Sequence, residues 1–175
     1  LFLRSIHGMN KPWLQLASVL SAAFLPALSA ADLTVKAADK EPPKELSDAI
    51  RQTLQPKAVQ VLAGDKPAFE FWFAKEIVLK SKLASLAKAL DLLEPASLLG
   101  AVSVSSATRD YRDDELPAGV YTLCFALQPQ DGDHSGTTDY IYFAVLVPAK
   151  LDIAPDALTT YKAVVKASAK GTSSE

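Results

Sequence analysis

Val120-Tyr121-Thr122-Leu123-Cys124-Phe125-Ala126-Leu127 and Asp139-Tyr140-Ile141-Tyr142-Phe143-Ala144-Val145-Leu146-Val147 are the two stretches on which the fold turns. In the first, Tyr121, Leu123, Phe125 and Leu127 alternate with Val120, Thr122, Cys124 and Ala126, the two-residue period of a strand. The second is a run of β-branched and aromatic residues that Pro148 ends. Gln128 to Thr138 between them is polar and small, longer than a tight turn but in keeping with a hairpin.

Upstream, Leu116-Pro117-Ala118-Gly119 makes the turn into the first strand, and Arg109 to Glu115 reads as a solvated charged connection. Ser97 to Val104 is another strand. Leu83, Leu86, Leu90 and Leu93 favour a helix over 81–94, with a long loop holding one helical turn as the alternative. Ala68 to Ala74 alternates again: Phe69, Phe71 and Phe73 share one face, Glu70, Trp72 and Ala74 the other. Gly64-Asp65-Lys66-Pro67 is a turn after a strand at Ala58 to Leu62. Leu46, Ile50 and Leu54 mark a short helix over 45–54 that stops before Pro56. Asp32 to Lys44 is polar and charged, an exposed leader. Downstream, Pro155-Asp156 opens a helix over 157–169, with Asp156 at the cap or just inside the first turn. Residues 170–175 read as a frayed tail.

Five or more strands with short helices at the N-terminal side and the C-terminus predict a mainly β fold. An antiparallel β-sandwich, immunoglobulin-like or prealbumin-like, is expected, with a small barrel as the alternative. Composition agrees: 49% hydrophobic and 22% charged residues with 7 Gly and 11 Pro exclude collagen-like, low-complexity and disordered chains. A formal charge of −2 offers no general electrostatic case for nucleic acid. One Cys excludes an internal disulfide framework, and Cys124 reads as a small apolar strand residue.

The apolar percentage is raised by one segment. Met9-Asn10-Lys11 precedes an apolar run, Pro12 to Leu25, and the small residues Ser29-Ala30-Ala31 follow Pro26. A cationic start, an apolar stretch and a small-residue exit are the parts of a secretory signal peptide, cleaved after Ala30 or Ala31. Gln15 and Pro26 interrupt it too early for a transmembrane helix, so no span is expected after cleavage. Leu1 to Gly8 reads as an upstream extension, with Met9 as the working start. The expected division is 1–31 extension and signal, 32–57 polar leader and short helix, and 58–175 a single β-sandwich domain. Without Arg4 and Lys11 the exported form has 16 basic against 20 acidic groups, a net of −4. A secreted or periplasmic location follows.

The stretch Leu116-Pro-Ala-Gly-Val-Tyr-Thr-Leu-Cys-Phe-Ala-Leu-Gln-Pro-Gln-Asp-Gly-Asp-His-Ser-Gly-Thr137 resembles a family of secreted, uncharacterised bacterial proteins found chiefly in planctomycetes. The likeness runs from about Pro67 to the end. It implies export and a β-rich fold, and no activity.

Chemistry concentrates in Asp131-Gly132-Asp133-His134-Ser135-Gly136-Thr137-Thr138-Asp139. Carboxylates with one imidazole on a Gly-containing loop can surround a divalent cation: Asp131, Asp133 and His134, with Asp139 adding an oxygen. The spacing matches no established metal motif, and a strand connection contains such residues anyway. Asp113-Asp114-Glu115 would add paired carboxylates for acid–base work if it lay close by. Trp72, Tyr140 and Tyr142 are candidates for stacking on a sugar ring, against a core or sheet-covering role. No phosphate loop, nucleophile elbow or CxxC occurs. The expected function is therefore a non-enzymatic binding or structural β-sandwich of the cell envelope, whose partner is an envelope protein or glycan. The alternatives are a metal-binding protein, hydrolytic or not, at the Asp131–His134 loop, and a carbohydrate-binding module.

Overall fold

Alternating apolar residues produce strands that pair with their sequence neighbours, and the result is an antiparallel meander. A computed structural model describes residues 33–85, 88–110, 113–128 and 141–171. The strands are β1 Leu33–Ala38, β2 Ala58–Ala63, β3 Lys66–Phe73, β4 Leu98–Val104, β5 Thr108–Arg109, β6 Glu115–Leu116, β7 Gly119–Leu127 and β8 Tyr142–Pro148. Two helices, α1 Asp48–Thr53 and α2 Tyr161–Ala169, accompany them. Six strands form one antiparallel sheet in the order β1-β2-β3-β4-β7-β8, while β5 and β6 make a separate two-stranded ribbon. The mainly β, antiparallel expectation is met. The sheet belongs to one compact unit, Asp32–Glu175. Residues 1–31, expected to hold an extension and a signal peptide, lie outside the described residues.

The polar leader holds a strand. Leu33 and Val35 alternate with Thr34 and Lys36, and the stretch pairs residue for residue with β2, from Leu33 opposite Ala63 to Ala38 opposite Ala58. Charged neighbours hide a two-residue period there. The leucine-spaced segment takes the loop alternative instead, with a 3-10 turn at Leu90–Leu92. Its leucines do not share a buried face: Leu93 is buried, whereas Leu83 and Leu90 are exposed. Backbone groups there are used in pairing, since Lys80 N–H donates to Leu92 C=O at 2.8 Å and Leu79 bridges Leu93. The C-terminal helix starts later than Asp156, because Thr160 caps it by accepting from Ala163 N–H. Ser47 caps α1 in the same way, through Ile50 N–H at 3.2 Å.

The two faces of the sheet differ. One carries Trp72, Ala101, Thr122, Cys124 and Val147, and the helical segments cover it. Leu46, Ile50 and Leu54 pack on Ala58, Trp72 and Ala101. Val164 and Ala167 of α2 pack on Cys124 and Val147. The opposite face carries Phe69, Phe71, Val102, Val104, Tyr121 and Leu123. Leu116 of the ribbon packs against its β4–β7 part. Toward β1 this face opens: Phe73 is 49%, Leu33 63% and Val35 67% exposed. Among the described residues no helix is long and apolar enough to cross a membrane.

Candidate functional site

Strand direction decides which loops meet. β3 ends, β4 begins, β7 ends and β8 begins at the same edge of the sheet, so residues 74–97 and the 128–141 connection leave from one end. Gln128 N–H donates to Ile141 C=O at 2.8 Å and closes the base of that connection. Tyr142, at the same base, donates its hydroxyl proton to Asp91 of the 74–97 segment, and that hydrogen bond holds its phenol above the usual range. Its ring lies 6.2 Å from that of Phe125, nearly parallel. Asp131, Asp133, His134, Asp139 and Tyr140 lie outside the described residues.

The acidic run belongs to the other end. Asp113, Asp114 and Glu115 sit in the β5–β6 ribbon between the end of β4 and the start of β7. The nine residues of β7 separate that ribbon from the base of the 128–141 connection, a span of about 27 Å at strand rise. Locally the run closes its own turn: Arg109 bonds Asp113 C=O at 2.6 Å, and Asp114 N–H donates to the Asp110 carboxylate at 3.0 Å. Asp113 takes a left-handed backbone, φ 68°, which Asp tolerates. The topology therefore does not bring this run to the base of the Asp–His loop.

Trp72 and Tyr142 do not share a platform. Trp72 is fully buried among α1 and its neighbours, with its indole N–H on Lys40 C=O at 2.7 Å. It stands on the helix-covered face, with β4 and β7 between its strand and β8, and leaves no ring face for a sugar. Tyr142 is on the opposite face, half-buried.

Two buried acids were not among the residues singled out from the sequence. Glu70, next to Trp72 in β3, is buried and held by the Lys40 ammonium and by Gln60 Nε2 at 2.6 Å. Burial pushes its carboxyl up, but the two hydrogen bonds and the Lys40 charge outweigh that and hold it below its ordinary value. The signal was legible: a Glu within an aromatic strand needs a partner, and the Lys-rich leader supplies one. Asp152 follows β8, is buried, and accepts from Thr122 Oγ1 at 2.6 Å, with Cys124 Sγ 4.0 Å away. Burial raises its pKa against the opposing Thr122 bond. Cys124 is pushed up to about 12 by burial and by the nearby Asp152 carboxylate, so the thiol is no nucleophile at neutral pH. Nothing in the order Leu151-Asp152-Ile153 announces this cluster.

One chemically distinct surface is apolar. Phe69, Phe71 and Phe73 form a row of rings with successive centroids 6.2 Å apart, the last two stacked at 6°. Val59 and Val61 of β2 continue it, opposite Phe71 and Phe69, and Ala37 and Val35 of β1 extend it to the sheet edge. An apolar sheet face normally packs on another layer. Groups of three or more His, Cys, Asp or Glu placed to hold a metal are absent among the described residues. No family model matches this chain, and comparison with curated proteins and with solved structures yields no match.

Proposed function

We propose that this is an exported, non-enzymatic binding or structural module of the cell envelope, which docks another envelope protein on the aromatic face of its sheet. The observation that carries this reading is the half-clad sheet: helices cover one face, while Phe73, Leu33 and Val35 leave the other open at β1–β3. A partner's apolar β-surface laid on that sector supplies the second layer, so the sandwich anticipated from the strand pattern is completed between two chains. Support for a sandwich lineage comes from Tyr121, whose hydroxyl donates to Pro117 C=O at 2.8 Å. A tyrosine near a strand start that bonds back to the backbone a few residues upstream recurs in immunoglobulin-like sandwiches. The signal-peptide reading of residues 9–31, and with it the likeness to secreted planctomycete proteins, supplies the compartment.

A photo-crosslinking residue at position 73 in cells tests the reading. One defined adduct is expected there and none at position 162 of the helix-covered side, with the adduct lost in Phe71→Ser. Adducts of equal yield at both positions overturn it, and so does turnover of an ester, glycoside or peptide substrate that His134→Ala abolishes.

A further inference from the structure

The segment that follows the aromatic strand combines two features that a soluble loop seldom combines. It exposes aliphatic side chains: Val78 is 82% exposed, and Ile77, Leu83 and Leu90 are also open. It is also a basic stretch in an acidic chain, with Lys75, Lys80, Lys82 and Lys88 against Glu76 alone over residues 75–90. Two of these lysines are engaged, Lys75 with Gln52 C=O at 2.8 Å and Lys80 with Glu94 at 3.5 Å. Lys82 and Lys88 are exposed and form no ion pair among the described residues.

We propose that the described residues of the β3–β4 connection, 75–85 and 88–90, attach the domain to the surface of an anionic lipid bilayer. Ile77, Val78, Leu83 and Leu90 enter the boundary between headgroups and acyl chains, and Lys82 and Lys88 meet the phosphates. Apolar side chains interleaved with lysines are the composition of interfacial binding segments, in which buried apolar area and attraction to anionic lipid add. Charge complementarity selects the occupant: a protein partner of the aromatic face does not need free ammonium groups, and a lipid headgroup layer does. A single-stranded nucleic acid is disfavoured, because residues 75–90 contain no aromatic ring for bases to stack on. Attachment of this kind needs no transmembrane helix. The end of the sheet that carries this segment would face the bilayer, with the aromatic face standing beside it, so the inference goes beyond the docking reading and does not depend on it.

The test is cosedimentation of residues 32–175 with vesicles. This portion contains every described strand and helix and forms a compact unit of its own, and it lacks the apolar leader, which would bind lipid by itself. Binding to phosphatidylglycerol-containing vesicles is expected, with little to pure phosphatidylcholine and partial release by salt. The double variant Lys82→Glu, Lys88→Glu should weaken partition roughly thirtyfold or more, and Val78→Ser should weaken it several-fold, with wild-type thermal transitions in both. Lys162→Glu, on the helix side, should leave partition unchanged. Equal binding to both vesicle types, binding to neither, or indifference to the loop variants overturns the proposal. Loop variants that abolish the position-73 adduct while vesicle binding persists also overturn it, and assign the segment to the protein interface. Loss of the adduct in Phe71→Ser with vesicle binding intact bears on the docking reading alone.

Discussion

At the scale of single residues, the two buried acids respond to pH in opposite directions, and their partners explain why. Asp152 is buried with a hydroxyl for company and no cation among the described residues, so its charged form is disfavoured in the folded chain. A carboxyl whose folded pKa is raised contributes stability that is complete at low pH and lost as pH climbs through the folded value. Asp152→Asn keeps an acceptor for Thr122 and removes the titration. We expect its melting temperature at pH 8 to exceed wild type by about 2–4 °C, the equivalent of ~1 kcal/mol in a chain of this size. The difference should close toward pH 4 in a series of thermal melts. Cys124 beside it is buried with its pKa pushed up to about 12. Thiol labelling at pH 8 should therefore be negligible in the native protein and stoichiometric after unfolding in guanidinium; prompt native labelling would show that the sheet opens there.

At the scale of elements, the register of β3 on β4 depends on one missing side chain. Gly100 lies opposite Phe73 next to the register shift of β4 against β7. A Cβ at that position would stand 2.4 Å from the Trp72 carbonyl oxygen and 3.0 Å from Phe73 Cα. Backbone atoms cannot step aside as a flexible side chain can, so the strands must separate locally. Gly100→Ala should cost about 1–3 kcal/mol, the range for overpacking a tight interior, measured as a lower urea midpoint with an unchanged slope. The hairpin of β2 and β3 has the reverse need. Gly64 adopts φ 61° in its turn, with nothing within 4 Å of where a Cβ would sit; there the backbone conformation, and not space, calls for glycine.

Across the whole molecule, Lys40 ties the N-terminal edge to the core. Its ammonium pairs with Glu70 of β3, and its carbonyl accepts the Trp72 indole proton, so one residue after β1 bonds to two core side chains. Lys40→Ala keeps the carbonyl and takes the cation from the buried Glu70 carboxylate, which retains only the Gln60 hydrogen bond. The loss at pH 7 should be about 1–3 kcal/mol, the cost of a buried polar group left without its partner. Its pH dependence is opposite to that of Asp152. Glu70 is held below its ordinary value, so its contribution is present above the unfolded pKa and lost as pH falls through the folded one. Wild type and Lys40→Ala should therefore converge on acidification, as chemical denaturation over a pH series will show.

Most strands were legible because a half-buried sheet imprints a two-residue period, and β3, β4, β7 and β8 carry it in long aromatic and β-branched runs. The charged lysine of β1 and the leucine spacing of 81–94 show where that reading fails. An edge strand needs little burial, so its pattern is faint; apolar spacing makes a helix only if a surface waits to cover one face. The faces of Trp72 and of the three phenylalanines were readable, but not which of them the helices would take. Local periodicity orients side chains relative to their own strand. Which layer covers a face, which loops leave from one end, and which acid lacks a cation depend on strand order and on contacts between residues such as Lys40 and Glu70, thirty positions apart. Those long-range pairings leave no mark on local spacing, which is why the open aromatic sector and the distance of the acidic ribbon from the base of the 128–141 connection emerge only from the folded chain.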